Sequence, residues 1–304
     1  MNANRENTTF FCKTRNEETH WLFLIYKQLK PNRLLSNEKD YSSYNQKYKN
    51  MIFYFTGNGN SKWVAEKMAN ETNDRIFNIS DFIKGNQPLP DIKSDDKVGI
   101  IFPTHSWYVP LPVVDFVKTI ELPRNAYTYA ICTCGDNMGK GMKLFAKQVK
   151  LDAAWSVRMQ NTYIPMFNLD SDEVMRDKVN DAGTRIHQIA NAINLHKKEW
   201  DVLEGMLPRI KTYIVYPLFA KYSIKASKFH LEGECTGCNT CGSICPTGNI
   251  EMQKGRPTWA NKCVSCMGCV NACPQHIIQY GKSTRKRGRY SLSKVLKELS
   301  IKGK

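Results

Sequence analysis

From Met51 onward the chain alternates short, dense apolar runs with longer stretches whose apolar residues recur at helical spacing. The runs Met51–Phe55, Arg75–Ile79, Val98–Phe102, Tyr127–Thr133 and Ser156–Tyr163 predict strands. Between them, helical patterns lie at about 60–72, 111–120, 138–150 and 171–196. Five strands alternating with helices predict a parallel, doubly wound α/β sheet over residues 51–198. Residues 1–50 show neither period and are rich in Asn, Lys, Tyr and Ser. We read Met51 as the natural start and residues 1–50 as an upstream extension of the reading frame, the rival being a poorly ordered arm.

Ligands of such sheets bind beyond the carboxyl ends of the strands, where the strand order switches. Three loops are therefore candidates. After the first strand comes Thr56-Gly57-Asn58-Gly59-Asn60-Ser61, running into a helix. Its glycines allow close backbone approach, and its hydroxyls and helix-start N–H groups suit an anion such as a phosphate. It is neither a P-loop nor a dinucleotide fingerprint, because the spacing of the first and the third glycine of the second are missing. After the third strand, Thr104-His105-Ser106-Trp107-Tyr108 offers two aromatics that can stack on a planar ring, or pack at a domain interface. After the fourth, Thr133-Cys134-Gly135-Asp136-Asn137-Met138-Gly139 can edge a heterocycle with backbone groups. Cys132 and Cys134 form a C-x-C there, read as packing rather than as a redox disulfide.

The C-terminal third has a different logic. The pattern C-x-x-C-x-x-C-x-x-x-C-P occurs at Cys235, Cys238, Cys241, Cys245 and again at Cys263, Cys266, Cys269, Cys273, offset by 28 residues. Such an internal repeat predicts a two-fold pseudosymmetric module. Three thiolates two residues apart can wrap one cubane cluster, while the fourth turns away to ligate the other. That crossing assigns Cys235, Cys238, Cys241 and Cys273 to one [4Fe–4S] cluster and Cys263, Cys266, Cys269 and Cys245 to the second. Zinc knuckles use four ligands in well-separated pairs, and disulfide frameworks belong to short secreted chains. Ile244, Ile250, Val270, Ile277 and Ile278 recur near the cysteines as apolar packing for the clusters, and Trp259 reads as core.

Charge changes the picture in two places. The formal net charge is +16, which two clusters with eight thiolates would lower to about +12. From Gly281 to the end there are nine Lys and Arg against one acid, Glu298. This basic tail, 282–304, can dock an acidic redox partner or simply be solvated. No base-reading motif accompanies it, so nucleic acid is not expected. The linker 199–230 mixes aromatics with lysines. It is read as packing one domain on the other, with peripheral contact with an anionic membrane as the alternative and Pro208 and Pro217 expected to break its helix. No run approaches the ~18 apolar residues of a membrane span. Free thiols and oxygen-labile clusters point to a reducing cytoplasm.

Met-Ile-Phe-Tyr-Phe-Thr-Gly-Asn-Gly-Asn-Ser at Met51–Ser61, the two later loops, the cysteine repeat over 231–281 and the ending Gly-Lys-Ser-Thr-Arg-Lys-Arg-Gly-Arg-Tyr at Gly281–Tyr290 resemble the flavodoxin–ferredoxin fusion proteins of anaerobic bacteria and archaea. The resemblance implies a flavodoxin-like domain with noncovalent FMN, followed by a small α+β two-cluster ferredoxin domain. It places the FMN phosphate on Thr56, Asn58, Asn60 and Ser61, and the isoalloxazine between the Thr104–Tyr108 and Thr133–Gly139 loops. His105 could then protonate the ring or tune its charge, and Asp136 would disfavour an anionic reduced form. The expected function is electron transfer between low-potential one-electron carriers and the flavin. The alternatives are an FMN-dependent reductase of a small substrate and an iron–sulfur redox sensor. No nicotinamide fingerprint is present.

Overall fold

The computed structural model describes residues 50–94 and 96–302; the reading of residues 1–50 falls, but for Asn50, outside them. Six parallel strands, β1 (Met51–Tyr54), β2 (Arg75–Asn78), β3 (Lys97–Pro103), β4 (Tyr127–Cys134), β5 (Ala153–Arg158) and β6 (Trp200–Asp201), form one sheet in the order β2-β1-β3-β4-β5-β6. This is the flavodoxin-like doubly wound order, with its switch point between β1 and β3.

Side-chain alternation along the strands divides the core in two. Ile52, Tyr54, Ile101, Tyr129, Ile131 and Trp155 face one side, where α1 (Asn60–Thr72) and the long α5 (Asp172–Asn194) cover them. Phe53, Phe55, Ile100, Phe102 and Ala130 face the other. There they meet α2 (Ile79–Ile83), α3 (Leu111–Val117) and α4 (Gly141–Phe145) through Phe82, Phe116 and Phe145. Burial on both faces explains why β1, β3 and β4 read as unbroken apolar runs. Ser171 starts α5 by accepting a hydrogen bond from the Val174 amide at 3.3 Å, with Asp172 and Glu173 in the first turn.

The fifth strand is displaced from its expected position at 156–163. Pairing with β4 sets Tyr129 opposite Ala153 and Cys134 opposite Arg158, so the strand ends at Arg158 and residues 159–163 become a loop. The edge strand β6 lies inside the segment read as linker. Beyond it, a helical stretch runs through Pro208–Ile210, a wider π segment at Lys211–Val215 and Tyr216–Tyr222. Pro208 opens this linker helix, where a missing N–H costs nothing. Pro217 does not break it, because the π turn just before gives room for the proline ring.

The second domain realises the 28-residue repeat. The short helices α6 (Thr240–Ile244) and α7 (Gly268–Ala272) are offset by 28 residues (268 − 240). Each is preceded by a left-handed residue, Asn239 at φ 57° and Met267 at φ 61°, and followed by Cys245 or Cys273 at ψ 116°. Two antiparallel pairs match likewise. In one, β8 (Ile250–Gln253) sets Ile250 opposite Trp259 of β9 (Arg256–Trp259); in the other, β10 (Ile278–Tyr280) sets Ile278 opposite Leu231 of β7 (Phe229–Leu231).

The stretch read as a basic tail is folded over most of its length. Thr284 and Tyr290 are buried, and α8 (Leu292–Lys302) lays Leu292 and Val295 into the core beside α5. Its apolar positions Leu292, Val295, Leu296 and Leu299 have helical spacing that outweighs the charge around them.

Candidate functional site

At the carboxyl ends of β1, β3, β4 and β5 lies a cavity of about 450 Å³, a volume suited to a cofactor. Of the candidates, Thr56, Gly57, Asn58, Asn60, Ser61, Thr104, His105, Ser106, Trp107, Thr133, Cys134, Gly135 and Asp136 line it. Gly59, Tyr108 and Gly139 do not. Gly59, at φ +92°, makes the turn into α1, and its amide donates to Thr56 Oγ1 at 3.0 Å. Tyr108 packs its ring against Tyr216, tilted by 42° with centres 4.6 Å apart, and pairs its backbone with His105. Gly139 leaves room for Thr212, whose Oγ1 would lie 2.5 Å from a Cβ there.

Each loop is held by its own device. Ser106 and Trp107, at φ 49° and 62°, form a tight turn between the paired His105 and Tyr108. Thr212 of the linker helix ties this turn down by donating to the Trp107 carbonyl at 3.2 Å while accepting from the Lys140 amide at 2.9 Å. Lys211 Nζ sits 5.5 Å from the centre of the Trp107 ring. The hydroxyls of Ser61 and Thr133 meet at 2.8 Å and join the first and third loops. Burial pushes His105 down to about 4, so its imidazole is neutral at pH 7.

The amides of Asn58 and Asn60 serve a purpose that residue type alone did not reveal. Asn58 Nδ2 donates to the Cys266 carbonyl at 2.6 Å and to Thr162 Oγ1 at 3.0 Å, and its Oδ1 accepts from Asn271 at 2.8 Å. Asn60 donates to the Gln160 carbonyl at 3.2 Å and accepts from the Tyr290 hydroxyl at 2.7 Å. Asn58 thereby lashes the anion-type loop to the second domain, and Asn60 ties it to the loop after β5 and to the C-terminal segment. What remains for an anion is the start of α1, which has no side-chain cap and no acid in its first turn, and the hydroxyls of Thr56 and Ser61. That donor set fits a flavin phosphate.

Sequence reasoning missed three parts of the wall. The loop after β5 supplies Met159, Gln160, Asn161, Thr162 and Tyr163, which the expected strand had hidden. The linker helix supplies Val215, Leu218, Phe219 and Tyr222. The second domain supplies Val264, Ser265 and Cys266.

The eight repeat cysteines line two separate small voids in the crossed sets. Cys235, Cys238, Cys241 and Cys273 surround one, and Cys245, Cys263, Cys266 and Cys269 the other. Cys266 and Val264 line both the second void and the large cavity. The contact is close. A Cβ on Gly57 would lie 2.6 Å from Cys266 Cβ, and one on Gly268 would lie 2.5 Å from the Gly57 carbonyl oxygen. Burial pushes the Cys266 thiol up to about 12, and Cys269 and Cys263 upward too. Buried thiols become thiolates only when a cation takes the place of their protons, so the donor set suits metal-bound sulfur. Cys238 differs: it is exposed, and hydrogen bonding from the Thr240 hydroxyl holds its thiol below the usual range.

Comparison with known proteins agrees with this division. Residues 51–164 match the family described as a flavodoxin domain, and 234–278 match a 4Fe-4S dicluster domain. The ferredoxin-like proteins in the nif regions of Trichormus variabilis and Trichormus azollae are each 31% identical over 49 residues, 16% of this chain and 42% of theirs. The chain thus spans less than half the length of these curated relatives. Among solved structures, a flavoprotein in complex with FMN from Lactobacillus acidophilus is 19% identical, with TM-score 0.27 over 36% of this chain and 91% of that one. Rubredoxin oxygen:oxidoreductase from Desulfovibrio gigas is 16% identical, with TM-score 0.33 over 52% of this chain and 39% of that one. The chain thus carries a flavodoxin domain at 51–164 followed by a 4Fe-4S dicluster domain at 234–278.

Proposed function

We propose that this chain passes electrons between one-electron redox proteins and FMN through two [4Fe–4S] clusters, within a reducing cytoplasm. Cys235, Cys238, Cys241 and Cys273 would hold one cluster, and Cys245, Cys263, Cys266 and Cys269 the other. FMN would rest on Thr56, Ser61 and the start of α1, with its ring between the Thr104–Trp107 and Thr133–Asp136 loops. Clusters handle single electrons and a flavin one or two, so their union converts between the two kinds of partner.

The observation that carries this reading is the double position of Cys266, which walls both the cavity and a four-cysteine void. The chain's own residues keep that wall thin: Gly57 and Gly268 remove side chains from it, and Asn58 clamps it from one side. His105, neutral at pH 7, lines the flavin cavity without adding a charge to it. The outer set, with Cys238 exposed, is where a protein partner would exchange electrons.

Anaerobic purification followed by counting iron, sulfide and flavin tests the cofactor set, with about eight irons and one FMN per chain expected. Zinc in place of iron, or no flavin, overturns it. Rapid mixing with a reduced low-potential ferredoxin tests the direction of flow, the clusters being expected to bleach before the flavin.

A further inference from the structure

The inner face of the linker helix closes the cavity; among the described residues, nothing apolar covers its outer face. Met206 is 82% exposed, and Leu207, Ile210, Tyr213 and Ile214 follow along one helical stripe, all at 47% or more. Between Glu204 and Glu232 the chain has no acidic residue at all, yet carries Arg209, Lys211, Lys221, Lys225 and Lys228. All five are exposed except Lys211, which is half-buried.

We propose that the stripe Met206–Ile214, with its surrounding cations, docks this protein on an anionic lipid surface. Two observations choose lipid over a protein groove. Lysine is depleted at the centre of protein interfaces, whereas here Lys221 and Lys225 follow the apolar stripe, both exposed. At a membrane the same lysines reach up to the headgroups while their stems lie on the acyl boundary. The tyrosine suits that boundary, with an apolar ring and a polar tip. The chain's own residues 1–49 are a poor alternative cover, since their nine Lys and Arg outnumber five Asp and Glu and would repel the linker. No described helix is long and apolar enough to cross a membrane, so the contact is peripheral. Because the inner face of the same helix walls the cavity with Val215, Leu218 and Phe219, docking would hold the flavin domain's mouth close to the lipid surface. This last consequence rests on the proposed flavin site; the docking itself does not.

The test is flotation of the full-length holoprotein with vesicles of phosphatidylglycerol and phosphatidylcholine, against phosphatidylcholine alone. Binding to the anionic vesicles is expected, about tenfold or more weaker on neutral ones and weakened by salt. The double variant Ile210→Ser/Ile214→Ser, which touches neither the cavity nor a cysteine, should lose about tenfold or more of that binding while keeping its iron and FMN. Failure of the wild-type protein to float with anionic vesicles overturns the proposal, as does unchanged binding by the double variant. Capture by an acidic redox protein through this stripe, without vesicle binding, overturns it in favour of a protein dock. Iron and FMN content, read in the same samples, reports separately on the electron-transfer reading.

Discussion

At Gly57 a single hydrogen separates the flavin-side loop from the cluster-side loop. An added methyl group would overlap Cys266 Cβ at 2.6 Å, and both neighbours are backbone-bound, so the loops must part. Gly57→Ala is expected to cost about 1–3 kcal/mol in denaturant unfolding. It should also slow flavin reduction without changing the iron content. The residue type predicted close approach, but toward a ligand; what comes close is a cysteine 209 positions away (266 − 57). The same holds for Asn58 and Asn60, polar residues whose partners come from the other end of the chain. Local sequence can announce a tight or polar position, yet long-range pairing decides who occupies it. His105 carries a pH prediction. Burial holds it near 4 when folded, against an ordinary 6.5, so the unfolded chain takes up a proton that the folded chain refuses. The stabilising effect of a neutral His105 is fully present above about pH 6.5 and is lost as pH falls toward 4, for a total of about 3 kcal/mol. His105→Gln should flatten that part of the stability profile, measured by denaturant midpoints at pH 7 and pH 5 against wild type.

Among the elements, the legible ones were those whose own period dominates. The bounds of α1 and the start of β1 follow from pattern alone, and the cysteine repeat announces α6 and α7 by its 28-residue offset. The fifth strand misled because Tyr163 and its neighbours resemble strand residues while Ala153 and Ala154 do not; pairing with β4 overrode that preference. In α8 the cationic residues mask an apolar spacing, Leu292, Val295, Leu296 and Leu299, that fixes the helix on α5. That helix gives the element-scale prediction. Ending the chain after Tyr290 removes Leu292 and Val295 from the core beside α5, where two buried aliphatic side chains are worth about 3–6 kcal/mol together. Tyr290→Phe removes less: Asn60 Oδ1 loses its buried donor, for about 1–3 kcal/mol. Denaturant unfolding of both variants should rank them in that order, and the reverse would mean that α8 is held only loosely.

For the whole molecule, the two cysteine sets are not equivalent, and the difference can be read in variants. The inner set shares Cys266 and Val264 with the large cavity, while the outer set reaches the surface at Cys238 and touches no part of that cavity. If electrons enter from a protein partner at the outer set, Cys238→Ala should leave FMN bound and the inner cysteines intact. Reduction of the flavin by reduced ferredoxin should then nearly stop, while a small reductant that reaches the cavity directly still works. Cys266→Ala should behave differently. It removes one inner cysteine and part of the cavity wall at once, so iron content and FMN affinity should fall together and both reductants should lose effect. Iron counting, flavin fluorescence after gel filtration and rapid-mixing kinetics on the two variants separate these outcomes. Equal flavin reduction by ferredoxin in wild type and Cys238→Ala would show that the partner bypasses the outer set. The entry point would then have to lie at the cavity mouth, between the linker helix and the loop after β5, where Met166, Phe167 and Leu218 meet the solvent.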